Sequence, residues 1–212
     1  DNVVKTDVHS LLDIFGGTNA VASYFKTKNL DIYVNDIQYF SYVNAKAIIE
    51  NNHPLTFETL KKAGIADPFE YLNNLKGRKG FIYKNYSFEG TKEKEHQRMY
   101  FSDENSKLID AIRLKIRLWQ RNALINEKEY YYLLACLIEA SDKVANTASV
   151  YEAFLKKIKT SAQKRMILRP LDLNIVSQGE HMYLAFNEDA KELLSHVKGD
   201  ILYMDPPYNN RK

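Results

Sequence analysis

The chain has 212 residues, of which 45% are hydrophobic and 27% charged, and it contains a single cysteine, Cys136. That balance is globular and long enough for one large domain or one domain carrying an insertion, while the lone cysteine excludes an internal disulfide. No uninterrupted apolar segment approaches the ~18 residues of a membrane span and no cationic-plus-apolar leader is visible, so a soluble, cytoplasmic protein is expected. The net charge of +3 divides unevenly: residues 1–53 carry −2, residues 54–169 carry +8 and residues 170–212 carry −3. A basic middle between two mildly acidic pieces suits a polyanion-binding subdomain set into a core, and it also suits a lysine-rich solvated surface.

Residues 3–10 read as the end of a helix or a connector. Leu11 to Phe15 is an apolar run that predicts a strand. Gly16, Gly17, Thr18 and Asn19 form a tight small-residue turn, and a helix is predicted from Ala20 to Lys28 with Val21, Tyr24 and Phe25 on one side. Strand, turn and helix in this order leave free backbone N–H groups facing whatever binds above the sheet. Ile32 to Val34 predicts the next strand, and Asp36, about 20 positions after the turn, is placed to accept hydrogen bonds from ribose hydroxyls. A short glycine turn by itself also fits a plain structural turn, and the third glycine of a nicotinamide fingerprint is missing.

From about Leu55 to Leu168 the pattern becomes largely helical. The stretch from Gly77 to Gly90 interleaves Phe81, Tyr83, Tyr86 and Phe88 with Lys79 and Lys84, which predicts a loop or hairpin. It would either meet phosphates and bases or tie down a small aromatic core. Ser102 or Asp103 caps a helix carrying Ile109, Ile112, Ile116 and Trp119 as a core stripe, with Arg113, Arg117 and Arg121 recurring every four residues on another face. Those arginines are either a DNA-backbone track or a solvated face. Further helices are predicted at about 127–145 and 149–164.

After Pro170 a strand–helix pattern resumes, with strands predicted at Leu171–Val176 and Met182–Phe186 and a helix opened by Asn187-Glu188-Asp189-Ala190. Ile201 to Met204 then reads as a buried parallel strand that stops at Asp205-Pro206-Pro207-Tyr208. In open α/β sheets ligands bind outside the carboxyl ends of the strands. There an acceptor-only carboxylate, a proline carbonyl and a flat ring suit a planar molecule bearing an amino group. The same four residues also fit a strand that ends in a proline turn with a core tyrosine.

The motif Asp205-Pro206-Pro207-Tyr208 resembles the catalytic motif of the Dam-like and FokI-modification-like adenine-specific DNA methyltransferases. Residues 13–19, Asp-Ile-Phe-Gly-Gly-Thr-Asn, look like the family's cofactor motif, with Asn19 where its second glycine stands. Asparagine is the commonest non-glycine visitor to positive φ, so the turn is expected to survive and a glycine there to be harmless. Residues 35–42 look like the following acidic motif, and Asp189 matches the acidic residue near the cofactor adenine. The motifs occur in family order along nearly the whole chain, which is more specific than any one of them.

The resemblance implies a Rossmann-like doubly wound α/β core, residues 1–53 and 170–212, with an inserted helical target-recognition subdomain, residues 54–169. It implies an S-adenosylmethionine-dependent transfer of methyl to the 6-amino group of adenine in double-stranded DNA, within a restriction-modification system that includes a cognate endonuclease. Implied catalytic residues are Asp205, Pro206, Pro207 and Tyr208. Implied cofactor residues are Asp13, Phe15, Gly16, Gly17, Thr18, Asn19, Asp36, Ile37 and Asp189. The expected DNA-binding residues are Arg113, Arg117, Arg121, Lys79, Lys84 and Tyr86; no metal ligand and no membrane contact is expected. The family's lysine-containing N-terminal motif and the strands after the catalytic one are not in the sequence, which therefore reads as a piece of a longer chain. Two rivals stand beside this reading: an RNA base amino-methyltransferase, and a non-catalytic DNA-binding module on the same scaffold.

Overall fold

The computed structural model describes residues 7–147, 154–173, 175–176 and 180–207. In chain order its elements are β1 (Ser10–Asp13), α1 (Ala20–Lys26), β2 (Asp31–Asn35), α2 (Tyr39–Ile48), α3 (Glu58–Lys62), α4 (Pro68–Asn73), α5 (Phe81–Tyr86), a 3-10 turn (Glu89–Thr91), α6 (Asp103–Arg121), α7 (Glu127–Lys143), α8 (Thr160–Gln163), β3 (Tyr183–Phe186), α9 (Ala190–His196) and β4 (Ile201–Tyr203). They form two compact units, Asp1–Thr56 with Leu171–Lys212 and Phe57–Pro170.

The first unit is a parallel sheet of order β3-β2-β1-β4, flanked by helices. Alternation along the strands gives each face its own core. Leu11, Ile32, Val34 and Tyr183 pack with Ala22 of α1 and Ala45 of α2 on one side, and Leu12 and Ile14 pack with Leu193 of α9 on the other. This is a Rossmann-like core. The chain steps from β1 to β2 to β3 in one direction, whereas β4 returns to the opposite side of β1, so the order reverses between β1 and β4. A crevice opens at the carboxyl ends of strands at such a reversal. β4, expected to be buried, is only partly so, with Leu202 exposed.

Side-chain amides and carboxylates stand in for missing backbone partners at the sheet margins. Glu50 accepts the Ala185 N–H of β3 at 2.8 Å, closing that strand's outer edge. The buried Asn35 donates to the carbonyls of Ile14 at 3.2 Å and Glu188 at 3.1 Å and accepts from Glu188 N at 3.0 Å. One amide thus ties the ends of β1 and β2 to the turn after β3. Lys26, also buried, donates to the carbonyls of Ile48, the last residue of α2, and of Asn51 beyond it, and lies 4.9 Å from the Tyr183 ring centroid. Burial depresses its amine to about 8.

The second unit is helical, built on α6 packed against α7. Ser102 caps α6 by accepting from Asn105 N, and Asn126 and Glu129 form a reciprocal capping box on α7. Ile109, Ile112, Ile116 and Trp119 are buried as the spacing predicts, together with Leu133, Cys136 and Leu137 of α7.

Three further sequence expectations differ because a side chain from elsewhere decides the backbone. Helix α5 lies where a loop was expected: Gly80 has no capping side chain, but Asp110 of α6 accepts from the N–H groups of Gly80, Ile82 and Tyr83. The helix expected at 149–164 is reduced, within its described part, to Thr160–Gln163. Phe154 instead bridges to Thr147, and buried Asn146 bonds to Leu155 O at 2.8 Å and Lys159 N at 3.0 Å, holding this stretch as a bent, non-helical loop. The strand expected at Leu171–Val176 is absent from the described residues there, where the Asn52 amide takes both the N–H and the carbonyl of Val176. α1 also stops two residues early, at Lys26, with Asn29 at φ 59° beyond it.

Removing the Asn35 amide leaves two carbonyls and an N–H at the sheet margin without their partner. Asn35→Ala is therefore expected to lower stability by about 2–4 kcal/mol, measured as a lower urea midpoint with an unchanged denaturant slope. A loss below about 0.5 kcal/mol would show that water replaces the amide freely.

Candidate functional site

Three carboxylates stand near one another at the carboxyl ends of β1, β2 and β4. Asp13 is the last residue of β1 and is 1% exposed. Burial pushes its carboxyl from the ordinary 3.8 up to about 6; the Phe15 N–H, 3.3 Å from Oδ1, opposes this, and the charges of Asp36 and Asp205 add to it. Asp205 follows the end of β4 by two residues and is exposed, as are Pro206 and Pro207. Tyr208 lies outside the described residues.

Asp36, directly after β2, is already engaged on both oxygens. Oδ2 accepts from Gly17 N at 2.7 Å and Oδ1 from Gln38 N at 2.8 Å. It joins the glycine turn to the start of α2, leaving the remaining lone pairs of each oxygen for a ligand. Ile37 beside it is 67% exposed.

The turn at residues 16–19 is tighter than a plain connector. A Cβ on Gly16 would lie 2.6 Å from both Asn19 Oδ1 and Val34 Cγ2, and Gly17 adopts φ +53°, so neither position accepts a side chain without distortion. Asn19 sits in the left-handed region at φ 61°, its N–H bonded to Gly16 O at 2.6 Å. Its side chain is fully buried and Nδ2 donates to Ser41 O of α2 at 3.1 Å. Ser41 Oγ donates in return to Gly17 O, and Asn44 Nδ2 reaches Thr18 O at 3.4 Å. Phe15, half-buried, packs with the α9-side core.

Asp189 is exposed, and its side chain caps α9 by accepting from Lys191 N at 2.9 Å. The same turn is bound to the end of β2, since Asn187 Nδ2 donates to Asp36 O at 2.6 Å. The structure thus gathers Asp13, the 16–19 turn, Asp36, Ile37, Asp189 and Asp205 along the carboxyl edge of one sheet. The second unit holds the other six. Arg113 is half-buried, 3.6 Å from Asp110, with its Nε enclosed and no hydrogen-bond partner, whereas Arg117 and Arg121 are exposed. Lys79 lies over the Tyr83 ring, Lys84 is exposed and Tyr86 is half-buried. Asn35 and Ser41 fall inside the 35–42 motif but the sequence assigns them no role, and it does not single out Asn44; their bonds to Ile14, Gly17 and Thr18 form only when the segments pack.

Among the described residues, no helix is long and apolar enough to cross a membrane. A family model described as D12 class N6 adenine-specific DNA methyltransferase matches residues 1–212. The chain is 44% identical over 200 residues to the type II methyltransferase M.NlaIII of Neisseria lactamica, covering 94% of this chain and 56% of that protein. It is 43% identical over 213 residues to the type II methyltransferase M.FokI of Planomicrobium okeanokoites, covering 99% of this chain and 32% of that protein. It is 44% identical over 202 residues to the modification methylase StsI of Streptococcus sanguinis, covering 95% and 30% respectively. The chain therefore spans between about a third and a little over half of these relatives. No solved structure is significantly similar to it.

The contact from Asn19 to Ser41 means that a glycine at position 19 would relieve the positive φ but strip a buried carbonyl of its donor. Asn19→Gly is expected to cost about 1 kcal/mol of stability, the difference between those opposing effects, read by urea unfolding. A variant as stable as the parent would mean the amide contributes nothing net.

Proposed function

The chain belongs to the D12 class of N6 adenine-specific DNA methyltransferases, and from that premise we propose that the whole protein transfers the methyl group of S-adenosylmethionine to the 6-amino group of adenine in double-stranded DNA. The observation that carries this reading is the gathering of Asp205 and Asp36 about Asp13 at the carboxyl ends of β4, β2 and β1, beside the point where the strand order reverses. A cationic ligand bearing hydroxyl donors fits such a set of acceptors, and Gly17, where an added Cβ would meet only Phe15 O at 3.9 Å, leaves the backbone of the turn open to close approach, while Gly16 is small because it packs on Val34 and Asn19. When bound, the cofactor supplies an electrophilic methyl group on a sulfonium.

The chain's own residues orient the reactants. The spare lone pairs of Asp36 accept the ribose hydroxyls, Ile37 and Asp189 flank the cofactor adenine, and the Asp13 carboxylate answers the positive charge. The Asp205 carboxylate and the Pro206 carbonyl, after the end of β4, accept the two N–H bonds of the target amine. The amine lone pair is otherwise delocalised into the ring; holding both N–H groups turns it toward the methyl group and stabilises positive charge on nitrogen. The target base must leave the duplex to reach them, and Tyr208 supplies a ring for it to stack on. The basic second unit, with Arg117, Arg121, Lys79 and Lys84 on its surface, takes the DNA backbone. The protein acts as the modification partner of a restriction endonuclease in the same system, a pairing that implies no direct contact between them. The family model favours DNA over RNA as substrate, and the intact catalytic carboxylate favours an enzyme over a passive binding module.

Plasmid methylation by the full-length protein, followed by mapping of modified adenines, tests the assignment directly. Asp205→Ala is expected to slow methyl transfer by about 100-fold or more with DNA binding retained. An equal rate in that variant would remove Asp205 from the mechanism. Tyr208→Ala is expected to be partly rescued by a mismatched, easily flipped target adenine, and Asp205→Ala is not.

Asp13 provides a second test. Its folded-state value of about 6 lies above the ordinary 3.8, so between those values the folded chain holds a proton that the unfolded chain has released. Stability contributed by this group therefore falls as pH rises through that window and stays reduced above it. Asp13→Asn is expected to raise stability at pH 7 by about 1–3 kcal/mol, with no gain near pH 3, while weakening binding of S-adenosylmethionine. In the parent, cofactor affinity rises from pH 5 to pH 7 as Asp13 ionises, and the variant flattens that rise. Calorimetric titration at several pH values checks it; the same slope in both proteins would place Asp13 outside the cofactor's reach.

A further inference from the structure

The short helix α5 is held by a carboxylate that is not its own. Gly80 stands at its N-cap and offers no side chain, whereas Asp110, fully buried on α6, accepts from Gly80 N at 3.1 Å, Ile82 N at 3.0 Å and Tyr83 N at 2.9 Å. The fit leaves no room for variation, because a Cβ at Gly80 would lie 2.6 Å from the Asp110 carboxyl carbon. Burying a carboxylate is costly, and three charge-assisted bonds offset the cost only while α5 keeps this position. Six residues of helix are thereby locked to the longest helix among the described residues.

What the lock presents is a ring in water. Phe81, the first residue of α5, is 56% exposed. The Arg113 guanidinium lies 6.0 Å from its centroid, and Tyr86 continues the row at 6.1 Å, itself covered by Arg98 at 5.9 Å. Lys84, three residues after Phe81 on the same side of the helix, is exposed. One exposed ring is ordinary on a soluble surface, but here it stands in a row of rings flanked by cations, which an apolar protein partner would not match. A polyanion with flat apolar faces uses both, and the net charge of +8 over residues 54–169 is complementary to it.

We infer that α5 is a DNA-contact element of the second unit: Phe81 seats against a sugar or base face, Lys84 meets a phosphate, and Asp110 is the positioning residue that fixes both. This rests on the reading of the whole protein as a DNA methyltransferase. The arginines farther along α6 then supply backbone charge, and α5 supplies the shaped contact.

The test uses the full-length protein and a duplex carrying the mapped target site, with fluorescence anisotropy across a salt series. Phe81→Ala is expected to weaken DNA binding by about tenfold without changing the salt slope; Phe81→Tyr restores it. Lys84→Ala lowers the salt slope by about one. Asp110→Asn weakens binding at least as much as Phe81→Ala, and adding Phe81→Ala to it costs little more, because the ring is already released. Cofactor affinity by calorimetry is unaltered throughout. Binding within twofold of the parent for both surface variants overturns the proposal, and fully additive losses for the Asp110 and Phe81 changes remove Asp110 from its role. If the parent protein methylates adenine while the surface variants bind normally, this inference fails alone. If the parent methylates no adenine, the reading beneath it fails.

Discussion

The requirement that buried peptide groups find a hydrogen-bond partner, met here by side chains reaching between segments, governs both units. Asn35 is the clearest case. Its amide closes the gap left where β1 and β2 end and the turn after β3 begins, so the carboxyl edge of the sheet is one surface and not three loose strand ends. Asp36 follows it in sequence and inherits that placement. Its own carboxylate then fastens the Gly17 turn, and Ser41 and Asn19 fasten the turn to α2. The site is the last link of this chain of bonds.

Placing three carboxylates at adjacent strand ends conflicts with stability. Asp13 bears the conflict, since it is buried and lies within reach of two like charges. Perturbed carboxyls of this kind cluster at functional sites because a ligand relieves what the protein alone leaves unfavourable. On the proposed reading, the positive charge of the cofactor is that relief. The rigid surroundings matter because an acceptor that moved away from its neighbours would lose its strain and its usefulness together.

The second unit follows the same rule with different residues. Asp110 caps α5 from another helix, Asn146 holds residues 155–159 in a bent loop, and Asn105 binds the carbonyls of Ala162 and Lys164 and the N–H of Met166. The elements these side chains fix are short, with little helix propensity or buried area of their own. Their conformations belong to the packed unit rather than to their local sequence.

Periodicity and motif chemistry determined much of this protein by themselves. The core stripe of α6, its Ser102 cap, the β1-turn-α1 unit, β2, and the helix opened by Asp189 were all legible, because apolar spacing and local caps act within a few residues. The order of the motifs identified the family and the residues that meet at the sheet's edge. Tertiary structure alone decided the rest. That α5 is a helix depends on a carboxylate 30 residues away from Gly80, and that residues 155–159 are not helical depends on Asn146. That the strand region after Leu171 has no strand among its described residues depends on Asn52, 124 residues from Val176. Asparagine 19 shows the boundary well: its tolerance of positive φ is a property of the residue, but its bond to Ser41 exists only once α2 has packed against the turn. Local sequence reports propensities of a few tenths of a kcal/mol per residue, and a buried polar partner worth about 1–3 kcal/mol overrides them.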